Sequence, residues 1–171
     1  AGLFVLLSLA APGQDWPWVA AAASLAAANA DPWATELGVL NPNPPRLITT
    51  GKVVERGTSG GISLLGSLAA LGGAALVAVC AAIFSGDAVL VAVATLGGVC
   101  GSFFDSLLGA TVQAIFYCPR CCKETERYPQ HTCGAQTVQQ RGWHWLDNDR
   151  VNFAASLVGA LAAWLAWMLW F

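Results

Sequence analysis

Residues 57 to 86 read GTSGGISLLGSLAALGGAALVAVCAAIFSG and contain no charged side chain. A helix needs about 20 apolar residues to cross the hydrocarbon of a bilayer, so this stretch is long enough for one span. Residues 151 to 171, VNFAASLVGALAAWLAWMLWF, are also uncharged and carry Trp164, Trp167 and Trp170 near their end, as an aromatic interface belt would. Runs of this kind set the composition of the whole chain: of 171 residues, 56% are hydrophobic and 11% charged. A soluble domain carries about 25% charged residues. With a mean hydropathy of +0.58, the chain is excluded from the soluble globular class.

Working outward, five apolar segments emerge. The first is AGLFVLLSLAA, closed by Pro12 and Gly13 and too short to span. The second runs from about Trp16 to Leu40, the third from Ile62 to Phe84, the fourth from Ala88 to Tyr117, and the fifth is 151 to 171. A tight turn, SerGlyAsp at 85 to 87, joins the third and fourth. No segment alternates with period two as a membrane barrel does. The expected fold is all-α and polytopic, with about four full transmembrane helices and a partial first one, forming a single membrane domain over 1–171. The chain opens without Met or a cleavable signal pattern, and it reads as a fragment or processed product that begins partway through a helix.

The net charge of −2 says little about partners, because placement carries the information. Arg46, Lys52, Arg56, Arg120, Lys123, Arg127, Arg141 and Arg150 all fall in the loops after the second and fourth segments, while the opposite turns hold only Asp15 and Asp87. Loops two spans apart share a side, and the positive-inside rule makes these two cytoplasmic.

Asp31 and Asp105 stand inside apolar segments, where a carboxylate facing lipid costs on the order of 3 kcal/mol or more. Asp31 lies nine positions before Leu40 and Asp105 twelve before Tyr117. At about 1.5 Å per residue, both sit at similar depth below the cytoplasmic face. Asp147-Asn148-Asp149, just before the fifth segment, brings a third acidic group to the same level. Each alone is as readily a cap or an interhelical hydrogen bond; three together point to a site. Asp31-Pro32 predicts a broken helix, because Pro32 removes a backbone donor and disfavours helical geometry before it. Such breaks mark binding sites in membranes. Gly97, Gly101, Asp105, Gly109 and Gln113 recur every four positions and predict one small, polar helix stripe.

The loop after the second segment offers groups suited to phosphate: Arg46, Thr49, Thr50, Lys52 and Arg56, then Gly57, Thr58, Ser59, Gly60 and Gly61. Glycines let backbone amides approach an anion, and a helix start adds its positive end. The loop is not the Gly-x4-Gly-Lys pattern of nucleotide-binding P-loops. Beside carboxylates it suits Mg²⁺, which takes one or two carboxylates plus phosphate oxygens. Further along, Cys118-Pro-Arg-Cys121 with His131 and Cys133 has the spacing of a four-ligand zinc site. A cytoplasmic disulfide is not expected. With no open coordination position, the ion would be a structural staple for a Cys/His loop over 118–142. Cys122 and His144 are spare donors, and Cys80 and Cys100 read as packing residues.

The motifs NADPWATELG, PRLITTGKVVERGTSGGISLLGSLAA, GSFFDSLLGATVQ and LDNDRVNF, in this order from about Asn29 to Ser156, resemble the membrane family, long described as a domain of unknown function, that includes plant phytyl-phosphate kinase and animal transmembrane protein 19. The Cys/His loop is similar to an insertion in many prokaryotic members, which implies a stabilising metal rather than a catalytic one. The resemblance implies a kinase-like transferase that converts an isoprenoid monophosphate to the diphosphate with a nucleoside triphosphate and Mg²⁺, within the bilayer and without nucleic acid. Asp31, Glu36, Asp105, Asp147 and Asp149 would hold the cation. Arg46, Thr49, Thr50, Lys52 and residues 57 to 61 would hold phosphate, with Ser106, Gln113, Asn148 and Asn152 as further polar site residues. Two departures from the resemblance stand out: Pro32 replaces the Thr usual in the family, and the N-terminal helices expected of a full member read as missing or cut. The rival expectation is a transporter or ion carrier using the buried carboxylates and broken helix for coupling.

Overall fold

The computed structural model describes residues 1–11 and 13–170. Pro12, expected to close the first segment, and Phe171, expected to end the last, lie outside the described residues. Five helices are formed: α1 (Gly2–Ala10), α2 (Trp16–Gly38), α3 (Leu64–Ser85), α4 (Val89–Thr111) and α5 (Asn148–Trp170). Helices α3, α4 and α5 are long and apolar enough to cross a membrane. Helix α2 has the same 23-residue length as α4 and α5 but is less apolar. It is the centre of the bundle, packed against each of the other four helices. A central helix meets protein rather than lipid on most sides, so it tolerates the Asn29 and Asp31 that a lipid-facing helix would not.

The interior is made of small residues. Ala23, Ala26, Ala30, Ala74, Ala78, Ala94 and Ala163 are fully buried, and the two core clusters are mostly alanine. The large side chains point the other way: Phe84 is 85% exposed and Leu169 91%. This inversion is that of a membrane bundle, where lipid is as apolar as leucine and close backbone approach, not side-chain burial, drives helix association. The glycines of α4 set that approach. A Cβ on Gly97 would lie 2.4 Å from the Gly159 carbonyl of α5, and one on Gly101 2.6 Å from Ala27 of α2. The expected small stripe is therefore a packing seam over Gly97 and Gly101, and it becomes polar at Asp105.

Local signals set the helix ends. Ser63 caps α3, its Oγ accepting from the Gly66 amide at 3.1 Å. Gly86, at φ 75°, ends α3 in the left-handed conformation that glycine adopts without strain. The Asp87 carboxylate then accepts from the Val89 amide at 2.9 Å, opening α4 as the expected tight turn.

Two expectations are corrected. Helix α2 runs unbroken through Asp31-Pro32, although Pro32 is exposed; the preceding turns, mostly buried from Val19 to Ala30 among the neighbouring helices, hold the helix where an isolated Pro would end it. The fourth segment does not stay helical to Tyr117. It stops at Thr111, and residues 115 to 118 form strand β3 (Ile115–Cys118) of a small sheet. That sheet, ordered β4-β3-β5 with β4 (Lys123–Thr125) and β5 (Val138–Arg141), is antiparallel throughout, with Tyr117 opposite Glu124 and Val138. A second, two-stranded ladder pairs β1 (Arg46–Leu47) with β2 (Gly61–Ile62). The membrane part is thus all helix, and both long loops carry short strands at one end of the bundle.

Gly97→Ala is expected to destabilise the protein by about 1–3 kcal/mol through overpacking. Gly72→Ala, whose new methyl meets nothing nearer than Trp33 Cζ3 at 3.9 Å, is expected to be neutral or to gain up to about 1 kcal/mol from helix propensity. Thermal unfolding of the two variants in detergent measures the difference.

Candidate functional site

At the loop-bearing end a cavity of about 320 Å³ opens between α2, α3, α4 and the two loops. Helical spacing decides what lines it. Asp31, Ala34, Thr35 and Gly38 share one face of α2, and Gly66, Ser67 and Ala70 one face of α3. Helix α4 adds Ser102, Asp105 and Ser106. Asp31 and Asp105, expected at equal depth from sequence alone, meet here. Thr35, Ser63, Ser67 and Ser102 were not anticipated, although Thr35 and Ser102 lie one turn from the two aspartates. Glu124 and Glu126 were not anticipated either, and no spacing rule points to them. They arrive through the pairing of β4 with β3.

Asp105 is buried, and its Oδ2 has no hydrogen-bond partner. Asp31 and Glu126 line the same cavity. Among the described residues the ion pairs are Arg141–Glu124 at 4.0 Å and Arg150–Asp147 at 3.0 Å, so no Lys or Arg pairs with Asp31, Asp105 or Glu126. Carboxylates crowded in a low-dielectric cavity without a protein cation require one from outside, or a proton.

The opposite wall is residues 56 to 61 and the start of α3. Gly57 and Gly60 have φ of 87° and 81°, open to glycine at no cost. A Cβ on Gly60 would stand 2.5 Å from Ala110, so the loop lies directly on the end of α4. Ser59 is its fastening: its Oγ is 3.1 Å from Gln113 Oε1 and 3.2 Å from Glu126 Oε1. Gln113, 1% exposed, reaches Asn148 Oδ1 with its amide at 3.4 Å. One buried side chain therefore joins the Gly-rich loop, α4 and α5, while Asn148 faces the cavity. The Arg56 guanidinium donates to the Asn41 and Pro42 carbonyls at 2.8 and 3.0 Å and lies along the rim. Together with the positive end of α3, this wall has the composition of an anion site.

Several expected residues do not line the cavity. Glu36 is exposed on α2, five positions from Asp31 and so on a different face. Asp147 accepts from the Arg150 amide at 3.0 Å and caps α5, and Asp149 is exposed beside it. Arg46, Thr49, Thr50 and Lys52 sit in the exposed hairpin that β1 begins, where Arg46 donates to the Gly51 carbonyl at 2.8 Å. The hairpin carries them past the cavity, which Pro45 and residues 56 to 63 reach. Asn152, on α5, does not line it, whereas Ser106 does.

The Cys/His loop assembles as its spacing requires. The ligand atoms of Cys118, Cys121, His131 and Cys133 all lie within 4.8 Å of one another and can hold a metal ion. The Cys118–Cys133 sulfurs are 3.5 Å apart, and His131 Nδ1 is 3.5 and 3.3 Å from the sulfurs of Cys121 and Cys133. A tetrahedral ion with sulfur at about 2.3 Å and nitrogen at about 2.0 Å sets ligand atoms roughly 3.5–3.8 Å apart. The His131 ring beside it lowers the Cys133 thiol to about 6, whereas a hydrogen bond with Cys133 pushes Cys121 up to about 11. The spare donors stay out: Cys122 bonds the Pro119 carbonyl, and His144 packs edge-on against Tyr128 at 5.3 Å.

Comparison with known proteins agrees with this architecture. The uncharacterized membrane protein MJ0933 of Methanocaldococcus jannaschii is 42% identical over 108 residues, covering 63% of this chain and 44% of its own. Protein PGR of Arabidopsis thaliana is 37% identical over 145 residues, covering 78% of this chain and 49% of its own. The chain thus spans about half the length of these curated relatives, and no solved structure matches it. The family model described as integral membrane protein DUF92 matches residues 1–160. With its helices, its ordered motifs and its Cys/His loop in place, the chain belongs to that family of integral membrane proteins.

Proposed function

We propose that the cavity is a phosphoryl-transfer site in which an isoprenoid monophosphate becomes the diphosphate at the expense of a nucleoside triphosphate and Mg²⁺. The observation that carries the reading is the pairing of opposite walls around one cavity, with unpaired carboxylates on α2 and α4 and a Gly-rich loop with a helix N-terminus facing them. Mg²⁺ takes oxygen ligands, and the free Oδ2 of Asp105 with Asp31 beside it fits that requirement. When bound, the ion neutralises charge on the phosphoryl group in transfer.

The chain's own residues would then position. Backbone amides of Gly57, Ser59 and Gly60 and the α3 start would bind the phosphates, with Arg56 at the rim; the Thr58 and Gly61 amides are already donated to the Glu55 and Thr58 carbonyls. Ala34, Ala70 and Phe103 give apolar contact to the prenyl chain. The bond from the γ-phosphorus to its bridging oxygen breaks, and a new one forms to an oxygen of the isoprenoid phosphate, leaving the nucleoside diphosphate. The attacking oxygen is already ionised, so no general base is needed, and catalysis is positioning and charge stabilisation. A carrier reading loses its broken helix, since α2 is continuous through Pro32. We further assign zinc to the Cys/His group, with the loops on the cytoplasmic side.

Transfer of labelled γ-phosphate from CTP or ATP to phytyl or geranylgeranyl monophosphate tests the site. Asp105→Asn is expected to lower the rate about 100-fold or more, the scale of losing one electrostatic stabiliser; full activity in this variant overturns the reading. Gly60→Val should also abolish transfer. Lys52→Ala, in the exposed hairpin, should stay within about twofold of the parent, as surface changes of about 0.5 kcal/mol do. For the loop, elemental analysis should find about one zinc per chain, because four ligands fill a structural shell. Cys121→Ser should lose that zinc and Cys122→Ser should keep it.

A further inference from the structure

The mechanism above uses two carboxylates, and the structure supplies a third from an unexpected place. Glu126 lines the cavity with Asp31 and Asp105, and sits 3.2 Å from the Ser59 hydroxyl at the middle of the Gly-rich loop. No protein cation pairs with it among the described residues. In the same cavity is the buried, unpartnered Oδ2 of Asp105, an acceptor without a donor.

The setting of Glu126 is more rigid than its exposure suggests. It lies five positions after Cys121 and five before His131. Both belong to the metal-binding group, so an ion there closes residues 121 to 131 into a short loop with Glu126 at its centre. On one side β4 is zipped to β3, with Thr125 opposite Phe116. On the other, the Thr137 hydroxyl donates to the Arg127 carbonyl at 3.0 Å, and the Arg127 amide donates to Thr125 Oγ1 at 3.2 Å. The backbone on either side of Glu126 is therefore held, and its side chain is delivered to the cavity mouth.

We propose that Glu126 is a third carboxylate of the divalent-cation site, brought there by the metal-held hairpin. The inference rests on the cavity being such a site. In this chain the Cys/His loop is then more than a staple for itself, because it completes the acidic wall that α2 and α4 begin.

Binding of Mn²⁺ alone, followed by electron paramagnetic resonance on detergent-purified protein with its loop metal in place, separates the two claims. Glu126→Gln is expected to weaken Mn²⁺ binding at least about tenfold, since even outer partners of a metal ligand contribute about 10–100-fold. Glu126→Asp, which keeps the charge, should recover part of that loss. Zinc content and thermal stability should match the parent, because Glu126 is exposed and glutamine keeps a side-chain oxygen to accept from the Ser59 hydroxyl. Parent affinity in Glu126→Gln, with binding weakened in Asp105→Asn, overturns the role of Glu126 and leaves the cavity's function standing. Parent affinity in Asp105→Asn, or no Mn²⁺ binding by the parent, overturns the cation site and Glu126 with it. Equal binding by the Asp and Gln variants overturns the claim that the charge matters.

Discussion

Close packing of small residues around α2 is the constraint on which the rest depends. Alanine and glycine fill the bundle interior and the large apolar side chains face outward. In water this arrangement would leave the core with little to bury; in lipid it is favourable, because association is driven by intimate contact and by satisfying polar groups. The glycine seam of α4 brings α5 and α2 to near backbone contact. That contact places the Asp105 face of α4 against the Asp31 face of α2. A looser bundle would separate the two carboxylates and open them to lipid.

The loops are ordered by polar bonds to the helix ends rather than by a core of their own. Gln113 is the clearest case: buried just beyond α4, it links Ser59 of one loop with Asn148 at the start of α5. Arg141 adds a bond from β5 to the Gly109 carbonyl at 2.9 Å, satisfying an acceptor that the end of α4 leaves free. Gly142 fits where any side chain would strike the Gln113 backbone, 1.8 Å from its carbonyl oxygen. These contacts make both loops parts of one wall around the cavity, so neither can shift without the other.

The acidic and Gly-rich walls have opposite physical needs, and their juxtaposition in one cavity is what supports the proposed chemistry. Carboxylates without protein partners repel one another and favour a cation. A glycine-rich turn beside a helix N-terminus favours an anion. A metal-bound phosphate answers both at once. The hairpin whose Cys/His group could hold a metal ion adds Glu126 to the acidic side from outside the bundle, and the proposed cation site would tie the order of that loop to the electrostatics of the cavity.

The membrane class, the helices, the side of the loops relative to one another and the four Cys/His residues that could hold a metal ion were legible in the sequence, because each depends on local quantities: uncharged run length, charge placement and ligand spacing. Asp31 and Asp105 were legible too, since a carboxylate in an apolar run stands out and its depth follows from counting residues. What only the tertiary structure decided depends on facing and pairing. Glu36 counts toward the site by proximity in sequence, yet helical rotation turns it away. Asp147 is spent on the α5 cap. The basic residues 46 and 52 share a loop with the Gly-rich turn, but the hairpin between them carries them off. Pro32 reads as a break because local preference says so, and α2 stays whole because its neighbours hold it. Glu126 had no local signal at all; it reaches the cavity only through strand pairing and the fastening of its loop, interactions between residues far apart in the chain that spacing along one segment cannot express.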